Sequence, residues 1–448
     1  MFKRKAYNEL LIWKKKCNGK YAAILEGARR VGKSTIALEF AKNEYKSYIM
    51  IDFGQVGKNI TDLFLDMSNM DLFFLRLQTE FGISLTQRES VIILDEIQLF
   101  PPARQAIKYL VKDGRYDYIE TGSLISIKKN VANILIPSEE YKINVYPMDM
   151  EEFFWATGRT DYDILRQLYL LNQPIGDSTN RKLLRDFRIY LAVGGMPQAV
   201  EAYVEKKSFQ EIDLVKRGII QLYKDDFRKI DSTGRIGRIY DAIPSQLALH
   251  RKRFFLTSVT KCKQKEKNEQ LLSEILDSKT VIICYNTTDP NASLSQTKNL
   301  DDYKLYLSDV GLFTTMLFND KDNDYEDIYK KLLSDKLDIN LGFLYENAVA
   351  QIIKATNREL YFHTWRKKDS THSYEVDFVL NNKGKIIPLE IKSASIKNHK
   401  SIDEFSKKYQ SRISRSIVLS GNDVKNENML LFKPIYLLPF IVEENSDK

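Results

Sequence analysis

Residues 21–35, YAAILEGARRVGKST, restrict the possible folds of this chain more than any other stretch. An apolar, strand-like run from Ala22 to Leu25 leads into a turn at Gly27. Gly32, Lys33 and Ser34 follow at the spacing G-x-x-x-x-G-K-S, and a helical pattern runs from Thr35 to Lys42. Glycines let the backbone curl until successive N–H groups converge on an anion. The N-terminus of the following helix adds partial positive charge. A strand entering such a turn and a helix leaving it begin a parallel α/β sheet covered on both faces. Gly27, Ala28, Arg29, Arg30, Val31, Gly32, Lys33, Ser34 and Thr35 are the expected phosphate cradle. In it Lys33 reaches the outer phosphates of ATP, and the Ser34 hydroxyl is placed for Mg²⁺.

The alternation continues downstream. Apolar runs at Tyr48 to Asp52, Val91 to Leu94 and Tyr116 to Glu120 read as strands, and residues 63–77 and 103–112 as helices. Residues 5–17, with Leu10, Leu11 and Trp13, form a Lys-rich amphipathic helix ahead of the loop. The run VIIL ends in Asp95 and Glu96, at the strand end where α/β sheets bind ligands. Asp95 is the expected Mg²⁺ acid, and Glu96 the group that orients or activates the attacking water. The next strand ends at Thr121-Gly122-Ser123, with Thr121 the candidate sensor of the terminal phosphate and Ser123 its reserve. No residue stands out as an arginine finger, a group often supplied by another subunit.

The pattern changes near residue 150. Residues 150–171 show helical spacing, and a polar stretch with Pro174, Gly176 and Asp177 reads as a linker. Residues 181–230 are helical apart from a break at Gly194-Gly195-Met196-Pro197. Strands at Thr280 to Asn286 and Tyr303 to Leu307 follow further helices, the layout of a winged helix. Residues 319–338, dense in Asp, Lys and Asn, read as a second linker. A third unit then combines a helix at 341–354, strands near 359–364, 374–380, 386–391 and 416–419, and a helix near 401–410.

This third unit holds a second cluster with possible chemistry. Glu390 and Lys392 lie two apart, on one face of a strand, as do Glu375 and Asp377 on another. If the strands pair, Asp377, Glu390 and Lys392 converge. Two carboxylates then hold a divalent metal beside a lysine, with Glu346 completing the set. Any half-exposed hairpin with alternating acids and lysines shows the same pattern. Lys397, Lys400, Lys407, Lys408, Arg412 and Arg415 suit a phosphate backbone, or equally a solvated helix face.

A length of 448 residues gives about three domains, expected at 1–172, 173–335 and 336–448. The apolar fraction of 43% is ample for their cores, and a net charge of +8 is compatible with nucleic acid without requiring it. Cys17, Cys262 and Cys284 form no C-x-x-C pair, which argues against a disulfide framework or zinc site and for a reducing compartment. No apolar leader follows Met1 and no run reaches membrane-spanning length, so a cytoplasmic protein with no membrane partner is expected. His363 and His372 are expected in loops or at the surface.

The chain resembles the bacterial and archaeal AAA-like ATPases that carry a C-terminal domain similar to PD-(D/E)XK nucleases. The resemblance rests on EGARRVGKS, VIILDEIQ, YIETGS, YPMDMEEF (146–153), YLAVGGMPQAV (190–200), LYKDDFRK (222–229), YKLYLSDVGL (303–312), GFLYENAVA (342–350), EVDFV and IPLEIK. It implies ATP contacts at Gly27, Gly32, Lys33, Ser34 and Asp95, with Glu96 catalytic. It also implies a nuclease-like site at Glu346, Asp377, Glu390 and Lys392, taking Mg²⁺ or Mn²⁺, and a winged-helix-like middle domain that favours DNA as a partner. Val376 stands where the family name has proline. By analogy a homo-oligomer is expected. A nucleotide-dependent switch, whose C-terminal domain only recognises protein or nucleic acid, is the alternative function.

Overall fold

The computed structural model describes residues 1–123, 134–249, 253–318, 325–334, 342–367, 370, 372–393, 399–427 and 430–444. They form two compact units, Met1–Pro147 with Ser273–Lys279, and Met148–Leu272 with Thr280–Lys448.

The first unit is built on a five-stranded sheet of β1 (Ala22–Glu26), β2 (Ser47–Asp52), β3 (Ser90–Asp95), β4 (Asp117–Gly122) and β5 (Glu140–Asn144), in the order β2-β3-β4-β1-β5. All its pairings are parallel. β1, β3 and β4 are buried along their whole length, which explains their unbroken apolar runs. The helix Lys33–Glu44 packs on β2, β3 and β4. Ile24, Ile92, Leu94, Phe74, Ile107 and Leu110 share a core with residues of the helices Lys58–Leu65, Met70–Phe81 and Pro101–Asp113. The expected helix 63–77 is two helices. Asn69 restarts the second by accepting the Leu72 N–H at 3.1 Å, a side-chain cap that competes with helix continuation. β5 escapes the sequence pattern because it is short, partly exposed and polar at alternate positions.

The second unit begins with helices. Residues 150–171 split into Met150–Ala156 and Tyr162–Leu171, with Gly158 (φ +77°) in the break. The helices Asp177–Val193, Pro197–Val204 and Phe209–Ile230 follow. The C-terminus of Asp177–Val193 and the N-terminus of the helix Val310–Leu317 cross backbone to backbone. A Cβ on Gly194 (φ +82°) would lie 2.4 Å from Asp309 Oδ1 and 2.7 Å from the Gly311 Cα, and one on Gly311 would lie 2.3 Å from the Val193 carbonyl. Asp309 fastens the crossing. It accepts the Leu312 N–H at 2.8 Å and the Gly195 N–H at 2.5 Å. From the helix Gly342–Lys354, Asn347 pairs with both backbone groups of Leu307 (2.9 and 3.1 Å). Gln351 accepts the Val310 N–H (2.8 Å) and donates to the Met148 carbonyl (3.2 Å). The motifs YPMDM, YLAVGGMP, LSDVGL and LYENAVA thus meet at one buried polar knot.

β6 (Val281–Thr287) and β7 (Lys298–Leu307) are the antiparallel pair expected as a wing. They do not stand apart. β8 (Leu360–Arg366) adds parallel to β6, and β9 (Ser373–Val376) adds antiparallel to β8, giving the order β7-β6-β8-β9. β6 is buried along most of both faces and so takes a neighbour on each edge. The second sheet holds β10 (Phe378–Asn382), β11 (Lys385–Ile391), β12 (Ser416–Ser420), β13 (Lys425–Glu427) and β14 (Leu430–Pro434), in the order β10-β11-β12-β14-β13. The expected strand 374–380 breaks at Asp377, where the chain passes from β9 in one sheet to β10 in the other. The segment 319–338, expected as a linker, contains the helix Tyr325–Ser334. Tyr329 on it is buried and donates to Asp213 at 2.7 Å. Among the described residues no helix is long and apolar enough to cross a membrane.

The glycines give the fold its sharpest test. Gly194→Ala meets both a positive φ and a filled crossing, and should destabilise the second unit by roughly 2–4 kcal/mol in urea unfolding. Gly218→Ala, mid-helix with nothing within 4 Å of the new Cβ, should stabilise it by about 0.5–1 kcal/mol.

Candidate functional site

The loop between β1 and the helix Lys33–Glu44 is shaped by two left-handed residues, Arg30 (φ +68°) and Gly32 (φ +94°). Gly27 is required by close approach, because a Cβ there would lie 2.1 Å from the Val145 carbonyl oxygen. Ala28 and Val31 are buried, Arg29 is half-buried, and Arg30 and Thr35 face solvent. Lys33 is buried and turns into the loop, donating to the carbonyls of Gly27 (3.0 Å) and Ala28 (2.8 Å). Burial pushes its ammonium down to about 8, against the opposing pull of Glu96 and Asp95.

The three elements around the loop meet at one carboxylate. Ser34 Oγ donates to Asp95 Oδ1 at 2.7 Å, and the hydroxyl of Thr121, at the tip of β4, donates to the same oxygen. Ser123 is buried just beyond. Glu96 is half-buried in the left-handed region, and the Gln98 amide donates to its carboxylate. Ser34 and Asp95 supply adjacent hard oxygens. That suits Mg²⁺, which takes one or two protein oxygens, keeps several waters and binds substrate phosphates.

Two groups escaped the sequence. Arg4 is buried and braces the loop by donating to the carbonyls of Val31 (2.8 Å) and Tyr146 (2.7 Å). Beneath the sheet end, Arg104 holds Glu140 through two 2.8 Å bonds. Burial pushes the carboxyl of nearby Glu120 well up, with Glu140 adding to the effect. The available signal for Glu120 was an acid two residues after Tyr118 on one face of a strand that reads as interior to a parallel sheet.

Residues 19–154 match the family model of the AAA domain. The chain contains an AAA-type P-loop ATPase domain. Residues 184–323 and 341–437 match two domains of unknown function, DUF8612 and DUF4143, and neither description names a nuclease or a winged helix. Among solved structures the chain is similar to the Walker-type ATPase of Pyrococcus abyssi, at 17% identity over 70% of this chain and 96% of that one, TM-score 0.42. It is also similar to a signal transduction ATPase with a tetratricopeptide repeat sensor from Pyrococcus horikoshii (11% identity, 80% of this chain and 49% of that one, TM-score 0.28). A third is Cdc6p of Pyrobaculum aerophilum (12% identity, 74% and 93%, TM-score 0.26). No curated protein matches the chain.

In the second unit, Asp377 and Glu390 come together. Phe378 pairs with Leu389, and one position on, Asp377 Oδ2 accepts the Ile391 N–H at 2.9 Å. Lys392 bonds Glu390 at 2.8 Å. The charges of Glu346 and Asp377 both bear on the buried Tyr306 hydroxyl. Glu346 accepts from Tyr306 (3.3 Å) and lies 4.0 Å from the fully buried ammonium of Lys304, which sits 2.7 Å from Glu375. Among the described residues no three His, Cys, Asp or Glu side chains are grouped to hold a metal ion. Of the expected set, Glu346 faces the Lys304 ammonium, while Asp377 and Glu390 lie together beside Lys392. Lys407 and Arg415 of the basic stretch pair with Glu404 and Glu444 at 2.9 and 2.7 Å, and Arg412 donates to the Gly384 carbonyl. Lys397 lies outside the described residues. His363, expected at the surface, is buried between the Thr287 carbonyl (2.6 Å) and the Tyr409 hydroxyl (3.0 Å). Burial holds its ring neutral, down to about 4. Cys17, Cys262 and Cys284 are free and buried.

Two measurements follow from these charges. Lys33 must be protonated to bind phosphate, and in the free protein it loses its proton through about pH 8. ADP affinity should therefore weaken as pH rises through that value, with net proton uptake on binding above it. Calorimetry in buffers of different ionisation enthalpy reads both. Lys304→Ala leaves buried carboxylates uncompensated and should cost about 3–5 kcal/mol in unfolding. Adding Glu375→Gln to it should recover part of that loss.

Proposed function

We propose that the chain binds ATP and hydrolyses it to ADP and phosphate, and that this cycle switches a recognition surface on the second unit. The observation behind the ATPase reading is the shared Asp95 oxygen, which ties Ser34 of the loop helix to Thr121 of the neighbouring strand. Lys33 would exchange its two loop carbonyls for outer phosphate oxygens. Gly27 to Thr35 would cradle the phosphates. Ser34 and Asp95 would hold Mg²⁺, which when bound neutralises charge on the β- and γ-phosphates. Glu96 would take the proton of the attacking water, and Thr121 would register the terminal phosphate. A neighbouring copy in a homo-oligomer would supply an arginine.

The platform reading of the second unit is supported by Lys304, whose buried ammonium lies against Glu346 and Glu375. DNA is its proposed partner class, with a protein partner as the other. The adjacency of Asp377, Glu390 and Lys392 favours a second reading, in which the same unit cuts DNA.

ATPase assays with and without DNA, scored for cleavage in the same tubes, separate these readings. Lys33→Ala should abolish turnover, and unchanged turnover would sink the ATPase assignment. DNA should stimulate turnover in a salt-sensitive way and stay intact with Mg²⁺ or Mn²⁺. Cleavage that disappears in Asp377→Ala would replace the platform by the nuclease.

A further inference from the structure

The turn after β3 holds a polar side chain that the scheme above leaves unused. Ile97–Leu99 close a single 3-10 turn behind Glu96 (φ +52°, ψ +42°), with the Leu99 N–H donating to the Glu96 carbonyl at 2.9 Å. The turn brings Gln98 back beside Glu96, and Gln98 Nε2 donates to Glu96 Oε2. An ionised carboxylate only accepts, so the amide must present its nitrogen and its orientation is fixed. Gln98 Oε1 is therefore the other end of a clamped group. It is buried and, among the described residues, has no hydrogen-bond partner. A buried acceptor without a donor is costly and calls for one. The neighbourhood is that of the phosphates, since the charges of Glu96 and Asp95 both bear on Lys33.

We propose that Gln98 is the positioning residue for the attacking water: Nε2 fixes the Glu96 carboxylate while Oε1 accepts a hydrogen from the same water. The inference rests on the ATPase reading. In the step it serves, the water oxygen bonds to the γ-phosphorus. The bond from that phosphorus to the β–γ bridging oxygen breaks, and its electron pair leaves on ADP. The proton of the water passes to Glu96. A lone carboxylate would hold the water through one contact and leave it free to rotate. A carboxylate and a carbonyl oxygen on one short turn hold both hydrogens and aim a lone pair at the phosphorus.

The test uses the full chain with Gln98→Leu, and Gln98→Met as a second variant of similar length should the first fail to fold. The kcat for ATP should fall by at least about 10-fold while KM changes by less than about 3-fold, as expected for lost orientation rather than lost binding. Affinity for ADP with aluminium fluoride should fall in step with kcat, and affinity for ADP alone should stay the same. Wild-type kcat overturns the inference, as does a parallel loss of ADP affinity and thermal midpoint, the mark of a merely structural role. Absence of turnover in the wild-type protein overturns the ATPase reading and this inference with it, whereas turnover indifferent to residue 98 sinks this inference alone.

Discussion

One oxygen, Asp95 Oδ1, organises the nucleotide end of this molecule. It accepts from Ser34 and from Thr121, and so couples the helix after the phosphate loop to the tips of two adjacent strands. The sheet order β2-β3-β4-β1-β5 makes this possible, because β4 lies between β1 and β3. Were β3 next to β1, Asp95 would still face the loop, but Thr121 would sit one strand further out. The loop itself is held from behind. Gly27 admits the Val145 carbonyl, and Arg4 grips Val31. The cradle is therefore built before any phosphate arrives, which keeps the ordering cost of binding low.

The second unit repeats the device with different parts. Asp309 is a fully buried carboxylate whose two oxygens close two chain segments, the turn at Gly195 and the helix that starts at Val310. Burial pushes its carboxyl up, and the backbone N–H groups pull it back. Gly194 and Gly311 let the backbones touch, and Asn347 and Gln351 satisfy the groups the crossing exposes. YLAVGGMP, LSDVGL and LYENAVA are thus explained by packing and hydrogen bonding. Their chemistry is that of a joint, and no catalytic role is needed to account for them.

The parts of the site legible in the sequence are those carried by contiguous chain. Lys33 and Ser34 are fixed by backbone geometry within one loop, and Asp95 and Glu96 by the end of one apolar strand, so spacing alone places them. Arg4 was invisible because its partners are carbonyl oxygens, which every residue has. Lys304 was invisible because Glu346 and Glu375 are distant in sequence and only the joining of β8 to β6 brings them near. The passage between sheets at Asp377 was not legible either. Alternation holds from Tyr374 to Phe378 and then gives way to the apolar run Phe378 to Leu380, but periodicity reports which face a residue takes, not which strand lies beside it. The same blindness produced the free wing, since β6 and β7 read alike whether or not β8 completes their sheet.

The two charge clusters differ in a way that bears on function. At the nucleotide end, Lys33 is buried with backbone carbonyls as its hydrogen-bond partners, and its ammonium is depressed. It is a cation held by neutral acceptors, so an arriving anion improves its situation and bonds formed within the loop are exchanged for stronger ones. In the second unit Lys304 is buried against carboxylates. There a cation already has its anions, and removing either partner would leave a charge stranded in a low-dielectric interior. One lysine is set up to be recruited by an anionic ligand, the other is already matched by fixed carboxylates.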